Sequence, residues 1–388
     1  MEALISEVKN DLKNNDPAAA VARVKEQSNQ QRNTPLNIAI TGESGSGKST
    51  FVNAFRGISD EDDGAAPTNI VEASKEPIPY FHPDYPNVNV WDLPGIGTTK
   101  FPANEYLKHI GFEKFDFFII ISDTRFREND VKLAQEIQKM KKKFYFVRSK
   151  IDNDIRAAGR KKDFNEKTTL DIIRKSCDQD LLKQGISSPR IFLVSSFELH
   201  LYDFSRLYET LGKDLPEHKR DALLFATSNI NLEIIKKKKE AFQSKIKYYA
   251  SLSACVAAIP LPGVSTAFDV ALMAITARDY VHGFGLDKSS LQRLSARTRV
   301  PYRDMLAVTM SPLVAGEITE EVMLKMLPQL AGITALMAIE EAVRLIPIIG
   351  IIASAGLSGI AIYNVLNYFL DTLAKDAQSV FERSLTGP

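Results

Sequence analysis

The feature that most constrains this chain is a glycine-rich octapeptide that fits the pattern GxxxxGK[ST]. It follows the short apolar run 36–40 directly, and the helical pattern 50–55 comes after it. A strand, a glycine-rich turn and a helix in this order are typical of a phosphate-binding P-loop, and an ordinary glycine-rich turn is the alternative. The predicted binding residues are Gly42, Glu43, Ser44, Gly45, Ser46, Gly47, Lys48 and Ser49, followed by Thr50.

The chemistry of phosphate binding explains these residue types. Glycines let backbone N–H groups turn inward around an anion, because a side chain there would block its approach. Lys48 is predicted to place a point charge on the β- and γ-phosphates, and Ser49 is predicted to coordinate Mg²⁺. The following helix directs its positive N-terminal end at the same anion.

Further apolar runs follow, with helical patterns between them. Including the first, the runs cover residues 36–40, 88–91, 115–121, 144–147 and 191–194. This alternation predicts an α/β domain with a mostly parallel sheet, and the segment 131–140 suits a crossover helix. We place this domain at residues 34–214.

The pattern changes after residue 214. Residues 215–388 show no convincing strand and contain long helical patterns interrupted by prolines, which are typical of helix boundaries. Residues 1–33 have apolar residues at helical spacing. We therefore expect an all-helical domain at 215–388, joined by the N-terminal helices at 1–33.

Two motifs at the ends of predicted strands indicate which nucleotide binds. Asp92 and Gly95 form a DxxG motif, in which the acid can hold Mg²⁺ through water and the glycine N–H can meet the γ-phosphate. Residues 149–152 read Ser-Lys-Ile-Asp, close to the [NT]KxD motif of guanine recognition. Asp152 would accept two N–H bonds from guanine that adenine does not offer, and the stem of Lys150 can cover the base. A solvated acid beside Lys150 is the alternative.

A third segment, Ser195 with Ser196, follows the run 191–194 and falls where a loop would contact O6 of the base. By itself this match is weak. The order of the motifs along the chain nevertheless favours GTP or GDP, with Mg²⁺, as the ligand. Ser149 is the remaining predicted contact from the guanine motif.

Charge and cysteine content argue against several other classes of protein. Lys and Arg number 49 and Asp and Glu 48, so a net charge of +1 leaves no basic field for nucleic acid. The two cysteines lie far apart, which is typical of a reducing cytosol and argues against structural zinc. The acidic N-terminus lacks the pattern of a secretory signal, so we expect a cytoplasmic protein.

With these residues in view, the chain resembles the immunity-related GTPases, an interferon-inducible family of Ras-like G proteins with an attached helical domain. The resemblance covers nearly the whole chain and, because Lys48 is present, points to the type with an ordinary P-loop lysine. Its specificity comes from long matched phrases at 41–49, 64–68, 90–97, 116–122, 124–126 and 144–148.

The resemblance implies roles for further residues. Thr68 would be the switch I threonine that reaches Mg²⁺ and the γ-phosphate, so that Ser49, Thr68 and Asp92 form the metal site. Glu72 matches a switch I glutamate used in catalysis across a dimer of G domains, and it completes the implied catalytic set with Lys48, Thr68 and Gly95. A loop threonine and an exposed acid are the alternatives for Thr68 and Glu72. The family's last guanine loop reads Ser-Asn where this chain has two serines.

The residue after the DxxG glycine, where small GTPases commonly place a water-orienting glutamine, is Ile96. Isoleucine cannot orient water, so the isolated domain is expected to be slow without groups from a partner. The resemblance implies GTP-dependent self-assembly on intracellular membranes (endoplasmic reticulum, Golgi or pathogen vacuole), in defence against intracellular pathogens. The alternative is a switch that binds GTP or GDP, hydrolyses little and acts through protein partners.

Two uncharged stretches, 250–268 and 345–370, bear on membrane contact. The second is long enough to span a bilayer, but prolines and glycines interrupt both, so we favour a buried helical hairpin over an integral membrane protein. The lysine run 236–239 could touch anionic lipid, and a solvated helix face is the favoured alternative.

Overall fold

The computed structural model describes residues 2–14, 16–32, 34–68, 76–94, 103–258, 264–326, 328 and 356–387. The chain divides into two compact units, Asn33–Asn231 and Met1–Arg32 with Leu232–Pro388. The first unit thus extends beyond the residue 214 expected from the sequence. The reason is that the helix Glu217–Ala226 contacts strands of the sheet in that unit.

The α/β unit is built on a six-stranded sheet in which one edge strand is antiparallel and the others are parallel. The strands are β1 (Leu36–Gly42), β2 (Ile78–Phe81), β3 (Val88–Asp92), β4 (Phe117–Ser122), β5 (Lys143–Arg148) and β6 (Ile191–Leu193), in the order β2-β3-β1-β4-β5-β6. The predicted fold class, a P-loop α/β sheet with a helical remainder, is confirmed. The antiparallel strand β2 was not predicted.

Helices surround the sheet and make up the described elements of the second unit. In chain order they are α1 (Glu2–Lys13), α2 (Pro17–Arg32), α3 (Lys48–Phe55), α4 (Ala103–His109), α5 (Glu128–Lys139), α6 (Ile151–Ala158), α7 (Glu166–Lys183), α8 (Phe204–Asp214), α9 (Glu217–Ala226), α10 (Leu232–Ala257), α11 (Val264–Gly283), α12 (Lys288–Thr298), α13 (Tyr302–Ala307) and α14 (Gly356–Leu385). Helices α1, α2 and α10–α14 belong to the helical unit.

The central strands position the site because they are buried on both faces. All six residues of β4 are buried, as are nearly all of β1, which is typical of parallel strands covered by helices on both sides. The carboxyl ends of the parallel strands meet at one edge of the sheet. Ile40 lies opposite Asp92, and Gly42 opposite Ile121, so the P-loop and the DxxG aspartate share that edge.

The uncharged stretches fall partly on described helices. Residues 250–257 lie in α10, 264–268 in α11 and 356–370 in α14, whereas 259–263 and 345–355 lie outside the described residues. The apolar side chains Leu366, Phe369 and Leu370 of α14 are buried, consistent with packing of α14 against α10 and α11. None of the described helices is long and apolar enough to cross a membrane.

The lysine run on α10 does not form one solvated face. Lys238 is only 2% exposed, while Lys239 pairs with Asp371 of α14 at 2.7 Å. Lys236 and Lys237 make longer contacts of 4.0 and 3.9 Å with glutamates one turn away. The four lysines therefore point in different directions, and at least one is committed to packing within the helical unit.

The close approach of α10 and α14 depends on a glycine. A Cβ atom built on Gly359 would lie 2.8 Å from the carbonyl oxygen of Ala250 and 2.9 Å from the Cβ of Ala254. The first atom belongs to the backbone of α10 and the second is a Cβ atom, so neither can move aside by rotation of a side chain. The helices could accommodate a side chain there only by moving apart.

We expect Gly359→Ala to lower the thermal midpoint by several degrees, because overpacking costs roughly 1–3 kcal/mol and outweighs the better helix propensity of alanine. Thermal unfolding followed by circular dichroism measures the change. The neighbouring variant Ile360→Ala, at a side chain that is 38% exposed, should shift the midpoint less. A Gly359→Ala protein as stable as the wild type would contradict this account of the helix contact.

Candidate functional site

The P-loop glycines have backbone reasons to be glycine. Gly42 adopts φ +145°, and a Cβ atom there would lie 2.1 Å from the carbonyl oxygen of Ile121 on the neighbouring strand. Gly45 and Gly47 also have positive φ angles, +79° and +89°, in the region that disfavours side chains. Gly47 directly precedes α3, so the loop ends where the helix N-terminus begins.

The cationic and hydroxyl groups of the loop contact neighbouring protein groups. The ammonium of Lys48 donates to the carbonyl oxygen of Glu43 at 2.9 Å, across the loop. The hydroxyl of Ser49 donates to Oδ2 of Asp92 at 2.9 Å. Burial raises the pKa of the Asp92 carboxyl, and the Ser49 hydrogen bond and the Lys48 charge oppose that rise.

Asp92 and Ser49 fit a divalent cation. Oδ1 of Asp92 is buried and has no hydrogen-bond partner among the described residues, while Oδ2 accepts a hydrogen bond from the hydroxyl of Ser49. Mg²⁺ is held through one or two protein oxygens, with substrate phosphates and waters completing its shell. In the described part of the chain, no group of three or more His, Cys, Asp and Glu side chains could hold a metal. Phosphate oxygens of a nucleotide, together with waters, would complete the shell of a magnesium ion at Asp92 and Ser49.

The guanine motif is tied to the P-loop by two side chains. The Ser149 hydroxyl donates to the carbonyl oxygen of Ser46 at 2.7 Å. The Lys150 ammonium donates to the carbonyl oxygen of Gly45 at 2.7 Å and to Oδ2 of Asp123 at 3.0 Å. The structure thus brings together segments that are 105 residues apart in sequence.

The serine at the first position of the guanine motif therefore has a role as a tether. Ser149 is 2% exposed, and its hydroxyl faces the P-loop rather than solvent. Lys150 has φ +55° and immediately precedes α6. Asp152 follows in the first turn of that helix, half-buried, at the same end of the sheet.

The last guanine loop is organised by the side chain of Ser195. This serine is fully buried, and its hydroxyl accepts hydrogen bonds from the backbone N–H groups of Phe197 and Glu198, each at 3.2 Å. Its side chain therefore shapes the loop, and the predicted contact of this loop with the base stays a prediction. Ser196 is half-buried, and a base contact from this loop would come from Ser196 or from the backbone.

The remaining predicted residues are only partly described. Thr68 is exposed and ends the described segment that follows α3. Gly95 and Ile96 lie outside the described residues, as does Glu72. The contact predicted between Thr68 and Mg²⁺ stays a prediction.

The structure adds a charged group beside the P-loop that sequence reasoning missed. The guanidinium of Arg127 pairs with the carboxylate of Glu43 in the loop. Asp130, which is 1% exposed, accepts the backbone N–H of Arg127 at 3.1 Å and caps α5. Burial, with a smaller contribution from the nearby Glu43 charge, raises the pKa of Asp130 to about 6, although the Arg127 N–H opposes the rise. An acid in the first turn of an amphipathic helix was the available signal.

Asp130 predicts a pH dependence of stability. The native pKa lies above the ordinary value of 3.8, so the folded state binds this proton more tightly and loses stability as the pH rises from about 4 to about 6. Asp130→Asn keeps an oxygen for the Arg127 N–H but cannot ionise. Relative to the wild type, the variant should gain roughly 2–3 kcal/mol in the free energy of unfolding between pH 4 and pH 7.

Urea unfolding at several pH values measures this difference. Asp163→Asn, at an exposed carboxylate, is the matched control and should follow the wild type at every pH. Parallel curves for Asp130→Asn and the wild type would mean that Asp130 is ionised at no cost.

The sequence of this chain is similar to those of known proteins. A family model described as interferon-inducible GTPase matches residues 1–384. Interferon-inducible GTPase 5 of Rattus norvegicus is 39% identical over 372 residues, which cover 95% of this chain and 80% of the relative. Interferon-inducible GTPase 1 of Mus musculus is 42% identical over 288 residues, 74% of this chain and 70% of the relative. Interferon-gamma-inducible GTPase 10 of Mus musculus is 37% identical over 354 residues, 90% of this chain and 82% of the relative.

Proposed function

The chain belongs to the interferon-inducible GTPase family and is a GTPase, and from this premise we propose that it binds GTP with Mg²⁺ and assembles with further copies of itself while GTP is bound. The observation that carries the nucleotide proposal is the pair of tethers that place the guanine motif against the P-loop, from Ser149 to Ser46 and from Lys150 to Gly45. These contacts support the proposal because they hold the segment of Asp152, the proposed base contact, against the proposed phosphate-binding loop.

The proposed division of labour follows from the contacts. The backbone N–H groups of 42–49 bind the phosphates, and Lys48 neutralises charge on the β- and γ-phosphates. Asp92 and Ser49 hold Mg²⁺, which supplies positive charge to the phosphate oxygens when it is bound. Asp152 accepts the two N–H groups of guanine, and the alkyl stem of Lys150 covers the base.

Self-assembly is proposed because this chain lacks one part of a solitary GTPase. Ile96 stands where small GTPases have a glutamine that orients the attacking water. A second copy facing the nucleotide could supply the missing group, and Glu72 in switch I is our candidate for it. Thr68 and Gly95 would contact the γ-phosphate region from within the same copy.

The cellular role is proposed from the relatives. Their names describe interferon-inducible GTPases, and we propose that this chain likewise serves immunity within the cell, against pathogens in the cytoplasm or in vacuoles. Association with intracellular membranes, such as those of the endoplasmic reticulum, the Golgi or a pathogen vacuole, is part of the same proposal.

The assembly proposal predicts that GTP turnover per molecule rises with protein concentration. We expect specific activity to increase several-fold over a hundredfold range of concentration, with larger particles in light scattering only when GTP is present. Lys48→Ala should abolish both effects, because it removes a phosphate contact. Lys162→Ala, at an exposed lysine, should behave like the wild type.

Specific activity that is independent of concentration would contradict self-assembly and favour the switch that hydrolyses little and acts through protein partners. Flotation of the same samples with vesicles, in GTP and in GDP, tests the membrane part. Recovery of protein with lipid in GTP alone is the expected result.

The guanine assignment predicts an exchange of nucleotide preference. Asp152→Asn replaces an acceptor by an amide whose N–H can meet the 2-oxo group of xanthine, so affinity should fall for GTP by roughly 100-fold or more and rise for XTP. Isothermal titration calorimetry with GTP, XTP and ATP measures the three affinities. Asp171→Asn, at an exposed acid on α7, is the control. Unchanged GTP affinity in Asp152→Asn would exclude Asp152 as the base contact.

A further inference from the structure

The amide of Asn53 makes contacts that the nucleotide site does not explain. Asn53 lies on α3, one helical turn after Ser49, and is 1% exposed. A buried amide must find partners for its donors and its acceptor, because leaving them unpaired is costly. The partners of Asn53 all lie in the segment that leaves α3 and leads to Thr68.

Asn53 pairs with both backbone groups of a single residue. Its Oδ1 accepts the N–H of Ala66 at 2.7 Å, and its Nδ2 donates to the carbonyl oxygen of Ala66 at 2.9 Å. The second N–H of the amide meets Oδ1 of Asp60 at 2.8 Å. This set fixes which way the amide points, since the reversed amide would oppose donor to donor and acceptor to acceptor.

Arg56, at the C-terminal end of α3, holds the same segment at a second point. It is 6% exposed, and its guanidinium donates to the carbonyl oxygen of Gly64 at 3.1 Å and to that of Phe81 at 2.9 Å. Gly64 and Ala66 are thus both fastened to the helix that begins the phosphate site. Two residues span at most about 7 Å, so fixing Ala66 confines Thr68 to a small volume.

We infer that Asn53 is a positioning residue that holds Thr68 in place for the γ-phosphate side of the nucleotide. The inference rests on the proposed function, in which Thr68 contacts Mg²⁺ and the γ-phosphate. With Ala66 fastened, the segment is already ordered before GTP binds. Without the amide, the entropy lost on ordering the segment reduces the affinity for the triphosphate. The affinity for GDP is not affected, because GDP lacks the γ-phosphate that Thr68 contacts in the proposed function.

The test compares affinities for GTPγS and GDP in Asn53→Ala, Thr68→Ala and the double variant, using the full chain. Asn53→Ala should lose roughly 10-fold in affinity for GTPγS and stay within about twofold for GDP. In the Thr68→Ala background, Asn53→Ala should cost little more, because it acts through Thr68. Asn165→Ala, which removes the amide cap of α7, should leave the ratio of the two affinities unchanged.

A merely structural Asn53 would give a different result. Equal losses for both nucleotides, or losses of Asn53→Ala and Thr68→Ala that simply add, would overturn the inference. Circular dichroism shows whether each variant is folded. If Asn53→Ala does not fold, Asn53→Asp decides, since it keeps an oxygen for the Ala66 N–H but loses the N–H that the amide donates to the Ala66 carbonyl. A several-fold fall in the GTPγS-to-GDP ratio then supports the inference, and an unchanged ratio overturns it.

Measurements on the wild-type protein alone test the proposed function. A wild-type chain that binds ATPγS as well as GTPγS overturns the proposed function, and the inference with it. A wild type that prefers the guanine nucleotide, with variants whose GTPγS-to-GDP ratio does not change, overturns the role of Asn53 only.

Discussion

The nucleotide site depends on the hydrogen bonds that the outward-facing carbonyl groups of the P-loop receive. A loop that turns its N–H groups toward a phosphate must find other donors for its carbonyl oxygens. Lys48 donates a hydrogen bond to the carbonyl oxygen of Glu43. Lys150 donates to the carbonyl oxygen of Gly45, and Ser149 donates to that of Ser46. Ser149 and Lys150 thus support the conformation of the loop, so the proposed phosphate and base contacts are held by one set of hydrogen bonds.

Buried charge at the same edge of the sheet is left incompletely balanced. Within the described residues, one buried oxygen of Asp92 has no hydrogen-bond partner, and the pKa of Asp92 is raised, although the charge of Lys48 opposes that rise. Asp130 likewise has one buried oxygen with no partner in the described part of the chain, and its pKa is also raised. An excess of unpaired carboxylate beside a phosphate cradle favours binding of a cation together with an anion, as in a magnesium nucleotide. The same acids cost stability in its absence.

The sequence alone was sufficient to predict those elements that a local residue pattern determines. Residues that are close together in sequence determine the P-loop, the parallel strands and the crossover helix. These elements could therefore be predicted. Strand β2 could not, since its four residues include a proline and its pairing with β3 is set by a distant partner. The contacts of Asn53 and Arg56 were equally hidden, because a polar residue on a short helix gives no sign of which loop it binds. The hydrogen bonds of the Ser195 hydroxyl within its own loop could not be predicted either, because they depend on how that loop turns.

Helix α3 connects the P-loop to the segment that leads to Thr68. It is eight residues long, about 12 Å, and its backbone hydrogen bonds fix the spacing of the residues along it. Its first turn carries Lys48 and Ser49, the proposed phosphate and metal contacts, and its last turn and end carry Asn53 and Arg56, which hold the segment leading to Thr68. The distance between Ser49 and the anchored segment is thus set by helix geometry. A change that shifts the register of α3 should therefore displace Ser49 and the segment leading to Thr68 together.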